Sequence, residues 1–307
     1  MLHPLLERIR KDDTLMLAIR KDYINVYYRG GNIIKLKEET SKNRYVAFFD
    51  KKYAADKNYA TQYSELLPKD CHNQIESKED IELWINSIPA RKQAMDFWFH
   101  KHQKAEREFQ QLVVRENNDS GISNETEYFI ADIELADTDI GARFDILAFK
   151  WPAGDRKFGK VKLALIEMKY GDDALKDVKN KPGICAHFKQ MQRYLTEKSK
   201  ELADTAEKQI NQLNQLGLIQ HKKGAAREFT VDDSHFEIIF IFANHNPRST
   251  ILLEELAKLK DLLCGMENKM FELRFFVAST AGYAMHSACM MDIDQYMTFL
   301  KCENCQK

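Results

Sequence analysis

The sequence predicts an α/β (α+β) protein in which a small α+β domain precedes a mixed β-sheet with helices on both sides. Apolar runs of strand length recur between residues 127 and 280 and alternate with segments of helical periodicity. The first part of the chain instead alternates apolar and polar residues around a Gly-Gly turn, which is typical of a β-hairpin. We therefore expect a small domain over residues 1–88 and a larger domain over residues 89–307.

The composition is that of an ordinary globular protein, with 44% hydrophobic and 30% charged residues. A formal net charge of −1 means that a polyanionic partner would have to bind a local patch. The sequence shows no long apolar run and no signal peptide, and its six cysteines are scattered, so we expect a reduced cytoplasmic protein without a membrane partner. Cys302 and Cys305 form a CxxC without two further zinc ligands at matching spacing, which favours a frayed tail.

The N-terminal domain is predicted from its hairpin and its helices. "TLMLAIRKDYINVYYRGGNIIKLKEE" supplies the hairpin, and "RYVAFFDKKY" supplies a third strand. A short helix is expected from Glu79 to Ile88, and Pro89 suits the first turn of the next one. That next helix, "ARKQAMDFWFHKHQKAEREFQQLVV", is expected to open the second domain, which leaves the first as a recognition module.

The second domain is predicted as helix, three strands, helix, strand, helix and strand. "EYFIADIELA" and "GARFDILAFKW" precede "KVKLALIEMKYG", whose apolar run fits a central strand buried on both faces. A long helix is expected from Gly183 to Leu216, with an interruption near Ser199. "HFEIIFIFANH" and "MFELRFFVAST" form the last two strands, on either side of the helix "STILLEELAKLKDLLCG".

An acid and a lysine end the central strand on one face, because residues i and i+2 of a strand share a face. They are Glu167 and Lys169, and Asp145 lies in the preceding apolar strand, beside Glu167 if the two strands pair antiparallel. Two adjacent carboxylates need a cation, and Mg²⁺ or Mn²⁺ suits oxygen ligands, with the Met168 backbone carbonyl as a third. Lys169 could then orient or deprotonate an attacking water, as phosphodiester hydrolysis requires. A solvated Glu–Lys pair at a strand end is the alternative, but an unpaired Asp145 among apolar residues would be costly.

These residues resemble the PD-(D/E)xK nuclease superfamily, whose pattern is an Asp near one strand end followed by an apolar strand ending in (D/E)-x-K. "GARFDILAF" and "LALIEMK" supply that pattern, with Phe144 in place of the family's proline. "QMQRY" supplies Gln190 and Tyr194, which are similar to the Q-x-x-x-Y of the RecB and lambda-exonuclease branch and lie on one helical face. The resemblance covers about residues 100–280.

The resemblance implies a restriction-endonuclease-like fold and a metal-dependent deoxyribonuclease of bacterial defence, repair or mobile-element biology. It implies that Asp145, Glu167, Lys169, Gln190 and Tyr194 are catalytic, and that Glu108 on the first core helix is a weaker metal ligand. His187 could contact a phosphate, although a bystander role is favoured. Internal or terminal cleavage, RNA as a substrate and the oligomeric state, a homodimer included, stay open. The alternative is a catalytically inactive module of the same fold that binds nucleic acid or protein.

Local charge agrees with a DNA substrate. Residues 145–200 contain 13 Lys and Arg against 7 Asp and Glu. The predicted contacts with the phosphate backbone are Lys176, Lys179, Lys181, Lys189 and Arg193. A lysine-rich solvated surface is the alternative interpretation.

Overall fold

The chain forms two compact units, Met1–Gln111 and Leu112–Lys307. A computed structural model describes residues 1–54, 73–119, 121, 123, 125–137, 141–179, 181–219, 228–244, 250–266, 270–278, 285, 287 and 290–304. The division falls later than the boundary at residues 88 and 89 that the sequence predicts. As a result, the helix expected to open the second domain belongs largely to the first unit.

The first unit contains a five-stranded antiparallel sheet whose strands follow chain order. The strands are β1 (Met16–Ile19), β2 (Tyr23–Tyr28), β3 (Gly31–Glu39), β4 (Arg44–Phe48) and β5 (Gln74–Ile75). Arg29 and Gly30 form the turn between β2 and β3 with φ of 50° and 68°, as a two-residue hairpin of type I′ requires. A Cβ on Gly30 would lie 2.3 Å from the backbone oxygen of Arg107, so glycine also permits this close approach.

Five helices accompany this sheet in the described part of the chain, and the last of them crosses the boundary between the units. They are α1 (His3–Arg10), α2 (Lys51–Ala54), α3 (Lys78–Asn86), α4 (Ile88–Lys101) and α5 (Ala105–Asn118). Ser77 and Asp80 form a capping box that starts α3, and Pro89 lies in the first turn of α4. The single helix predicted here is broken at His102, whose φ of −128° and ψ of 69° are not helical. No Pro or Gly marks this break in the sequence, so local signals could not predict it.

The second unit contains a five-stranded mixed sheet, also in chain order. Its strands are β6 (Tyr128–Asp137), β7 (Ala142–Lys150), β8 (Lys160–Tyr170), β9 (Thr230–Ala243) and β10 (Phe271–Ala278). The first three pair antiparallel, whereas β9 pairs parallel with both β8 and β10. This confirms the predicted mixed α/β arrangement, with β8 as its central strand.

The described residues of the second unit also form three helices: α6 (Ile184–Gln215), α7 (Ile251–Cys264) and α8 (Ile293–Asn304). Helix α6 lies against β7, β8 and β9. Lys198, with φ of −136°, kinks α6, which confirms the predicted interruption. Helix α8 has no counterpart among the elements predicted from the sequence. None of the helices in the described ranges is long and apolar enough to cross a bilayer.

Candidate active site

Asp145 and Glu167 lie side by side on neighbouring strands. The antiparallel pairing of β7 with β8 aligns Ile146 with Ile166, so the next residues outward are the two acids. The Glu167 side chain is one of the groups that affect the pKa of Asp145. Asp145 is 8% exposed and Glu167 is 2% exposed. The two strands therefore pair antiparallel, and Asp145 lies beside Glu167 as expected for that pairing.

Met168 connects β8 to β7 beyond Ile146, the last residue of β7 that is paired with β8. Its backbone N–H donates a 2.8 Å hydrogen bond to Oδ2 of Asp145. The N–H and the carbonyl of one strand residue face the same neighbouring strand, so the Met168 carbonyl lies on the edge that faces Asp145. This placement suits the predicted backbone ligand.

Lys169 lies beside Glu167, as the two-residue period of the strand predicts. Its ammonium Nζ is 2.8 Å from Oε1 of Glu167 and 3.5 Å from the carbonyl oxygen of Pro182. Lys169 is 5% exposed, and Met168 is fully buried in the opposite layer. The strand end therefore forms a buried pair and not a solvated rim.

The buried cluster is short of positive charge. It holds two carboxylates, Asp145 and Glu167, against one ammonium, that of Lys169. Burial raises the pKa of Asp145, against the opposing effects of the Met168 N–H and the Lys169 charge. Burial and the Lys169 charge lower the pKa of His187 to about 3, so its imidazole is neutral at pH 7. A proton or a bound cation is needed to balance the second carboxylate.

Glu134 marks a distortion of β6 opposite the site. Ile133 pairs with Ile146 and Leu135 pairs with Phe144, which places Glu134 across from Asp145. Glu134 has a φ of 57°, in the left-handed region, and its carboxylate forms an ion pair with Arg143. The Glu134 side chain is thus the partner of Arg143.

Gln190 and Tyr194 contact the beginning of β7. Nε2 of Gln190 donates a 2.8 Å hydrogen bond to the carbonyl oxygen of Gly141. The Tyr194 ring packs edge-on against Phe144, with ring centroids 4.8 Å apart. Burial and the nearby carboxylate of Asp137 raise the pKa of Tyr194 to about 12, which keeps the phenol protonated. These contacts suit the positioning of the strand that carries Asp145.

His187 belongs to the cluster, although a bystander role was favoured for it from the sequence. Its Nδ1 lies 3.1 Å from Oε1 of Glu167, and its side chain is 15% exposed. His187, Gln190 and Tyr194 have the spacing i, i+3 and i+7, which places all three on one helical face. That spacing was the signal in the sequence that could have identified His187.

Glu108, which the resemblance predicts as a weaker metal ligand, has a different partner. It lies in the first unit, where its Oε2 is 2.8 Å from Nη2 of Arg29. The same guanidinium also binds Asp96, at 2.7 Å. Glu108 is thus part of an ion-pair network around the turn between β2 and β3.

The five predicted phosphate contacts lie on the loop after β8 and on α6. Lys179, Lys181 and Lys189 are exposed. Lys176 is 3.4 Å from Glu254, and Arg193 forms an exposed pair with Glu197 at 2.7 Å. The five predicted phosphate contacts are thus Lys176, Lys179, Lys181, Lys189 and Arg193.

Asp177 anchors the same loop at the start of α6. Its Oδ1 accepts hydrogen bonds from the backbone N–H groups of Gly183, at 2.6 Å, and Ala186, at 3.3 Å. The loop reaches the cluster through Pro182, whose carbonyl faces Lys169. The basic loop and the buried cluster are therefore physically connected.

Within the described residues, no three His, Cys, Asp or Glu side chains are arranged as a ready-made metal site. The Cys302 side chain and the whole of Cys305 lie outside the described part of the chain, and with them the CxxC. No protein-family model, curated protein or solved structure matches this chain.

Proposed function

We propose that the second unit is a metal-dependent nuclease that hydrolyses phosphodiester bonds in DNA. The observation that carries this proposal is the buried group of Asp145, Glu167 and Lys169. Two carboxylates and one ammonium share a face at the end of a central strand, next to a basic loop. A purely structural cluster would balance its charges or avoid burying them.

A divalent cation fits this donor set. Asp145 and Glu167 offer carboxylate oxygens, and the Met168 carbonyl lies on the same edge. Burial raises the pKa of Asp145, so a bound cation would stabilise its charged form. Because Lys169 already occupies Oε1 of Glu167, cation binding requires a side-chain adjustment, most simply a shift of that ammonium. Mg²⁺ and Mn²⁺ are the ions that suit carboxylate and carbonyl oxygens.

Different residues of the chain have different roles in the proposed reaction. A bound cation supplies charge stabilisation for a phosphoryl oxygen. Nζ of Lys169 orients the attacking water and takes part in proton transfer. The contact with Glu167 holds this Nζ in place. Gln190 and Tyr194 position β7 and thereby Asp145.

The basic residues of the loop and of α6 suit contacts with phosphates. Such contacts hold a DNA backbone without reading its sequence. The order of elements, with an antiparallel β6–β7–β8 meander, then α6, then β9 parallel to β8, suits the restriction-endonuclease-like fold that the motifs resemble. A role for the first unit in substrate recognition is part of the same proposal.

The second candidate is an inactive module of this fold that binds nucleic acid or protein. The observation that favours it is the burial of the site. Asp145, Glu167 and Lys169 are at most 8% exposed. A working site must open to admit a phosphodiester. An inactive module has no such requirement, but it also has no use for the buried charge imbalance.

Cleavage assays on the full-length protein separate the two candidates. Plasmid and single-stranded DNA are incubated with Mg²⁺, with Mn²⁺ and with a chelator. We expect ion-dependent cleavage that is lost in Asp145→Ala and retained in Asp155→Ala, an exposed acid in the β7–β8 loop. DNA binding without cleavage under any ion would favour the inactive module.

A further inference from the structure

The contact between His187 and Glu167 lacks the geometry of a hydrogen bond. Nδ1 of His187 lies 3.1 Å from Oε1 of Glu167. Nδ1 is buried and has no hydrogen-bond partner among the described residues.

A buried ring nitrogen without a hydrogen-bond partner costs free energy. If the nitrogen carries its lone pair, the two electron-rich atoms repel each other at this distance. The helix nevertheless holds His187 there, because Asp177 caps the first turn of α6 through Gly183 and Ala186. The arrangement suits a position that a third, positively charged atom occupies.

The separation is compatible with two atoms bound to one metal ion. Metal–nitrogen and metal–oxygen bonds of about 2.0–2.2 Å, at octahedral or tetrahedral angles, put two donor atoms about 3.0–3.4 Å apart. The observed 3.1 Å between Nδ1 and Oε1 lies in that range.

Resting on the proposed nuclease function, we infer that His187 is a further ligand of the same cation and that its nitrogen selects a transition-metal ion such as Mn²⁺ over Mg²⁺. Mg²⁺ takes oxygen ligands and keeps several waters, whereas imidazole is a ligand of the first-row transition metals. A site with only Asp145, Glu167 and a backbone carbonyl would not discriminate in this way.

Calorimetric titration of the full-length, DNA-free protein tests the inference with Mn²⁺ and Mg²⁺ separately. We expect His187→Ala to weaken Mn²⁺ binding by about tenfold or more, the order found when groups around a metal ligand are lost. Mg²⁺ binding should change by less than about threefold. His187→Gln, which offers an oxygen in place of the nitrogen, should restore Mg²⁺ binding better than Mn²⁺ binding.

His235→Ala is the matched control. His235 also lies 3.1 Å from a glutamate oxygen, that of Glu272, but it is more exposed, at 35%. Its replacement should leave the affinity for both ions unchanged. Pulsed electron paramagnetic resonance of the Mn²⁺-loaded protein should show coupling to a ring nitrogen in the wild type and in His235→Ala, and none in His187→Ala.

The outcomes separate this inference from the proposed function. If folded His187→Ala kept the wild-type affinity for Mn²⁺ and the wild-type ratio of Mn²⁺ to Mg²⁺ affinity, the role of His187 would be overturned. If Asp145→Ala abolished binding at the same time, the proposed metal site would stand without it. Failure of the wild-type protein to bind either ion would overturn both.

Discussion

Nε2 of Gln190 donates a 2.8 Å hydrogen bond to the carbonyl oxygen of Gly141, which ties α6 to the first residues of β7. The helix that carries His187 is thus connected to the strand that carries Asp145. This bond lies near the surface, so its role is to position the strand and not to stabilise the core.

Gln190→Ala should reduce cleavage through the position of Asp145. We expect a loss of about tenfold in turnover, with a change in unfolding free energy of about 1 kcal/mol, typical of one hydrogen bond. Gln192→Ala, which removes a side chain bonded to Thr196 on the same helix, is the control. Equal effects of the two substitutions would mean that the Gly141 contact has no special role.

Asp145→Asn should abolish cation binding and yet stabilise the cation-free protein near pH 7. The amide oxygen can still accept the Met168 hydrogen bond, and the substitution removes a buried group that is costly to ionise. Because the folded-state pKa of Asp145 is raised, its contribution to stability falls as the pH rises from the unfolded value through the folded one. Thermal unfolding with a chelator should show the higher melting temperature in Asp145→Asn at neutral pH and a smaller difference near pH 4. A lower melting temperature of Asp145→Asn at neutral pH would contradict the shortage of positive charge in the buried cluster.

Lys169→Ala should lower turnover by roughly 10²- to 10⁴-fold, the effect of losing a positioned proton-transfer group. Cation affinity should be retained or increased, because the ammonium that competes for Glu167 is gone. Lys169→Arg should not restore turnover, since a guanidinium stays protonated.

Lys160→Ala is the control for Lys169→Ala, because it removes an exposed lysine from the opposite end of the same strand. Rates, cation affinity and DNA affinity are measured for each variant. Wild-type turnover in Lys169→Ala would mean that the lysine only balances charge.

Replacing Lys179 and Lys181 together by alanine should weaken DNA binding without changing cation affinity. Each lost phosphate contact should lower the slope of log K against log salt concentration by about 1. Lys157 and Lys160, exposed around the β7–β8 loop, provide a double-alanine control. An unchanged slope in the Lys179 and Lys181 variant would assign those lysines to the solvated surface.

Asp12→Asn should destabilise the first unit in a pH-dependent way. Asp12 is buried, and hydrogen bonds from Lys92 and Thr14 lower its pKa against the effect of burial. A carboxyl with a lowered folded-state pKa stabilises the fold above its unfolded value near pH 4, and this contribution is lost as the pH falls through the folded value. The difference in melting temperature between wild type and Asp12→Asn should therefore be largest above about pH 5. Asp13→Asn, at the exposed neighbour, should show no such trend.

Elements with strong local patterns were determined by the sequence. The apolar runs of β7 to β9 and the kink of α6 near Ser199 follow from side-chain periodicity, which each segment carries by itself. The shared face of Glu167 and Lys169 is of the same kind, since the period of a strand is a local property. These features do not depend on what the rest of the chain does.

Tertiary structure alone decided the relationships between distant segments. The register of β7 against β8 brings Asp145 to Glu167, and the docking of α6 brings His187 to the same carboxylate. The break at His102 and the division of the units at Gln111 and Leu112 likewise have no signal in the chain. Burial decides the charge state of Asp145, because the pKa of a carboxyl depends on the solvent and charges around it and not on its neighbours in sequence.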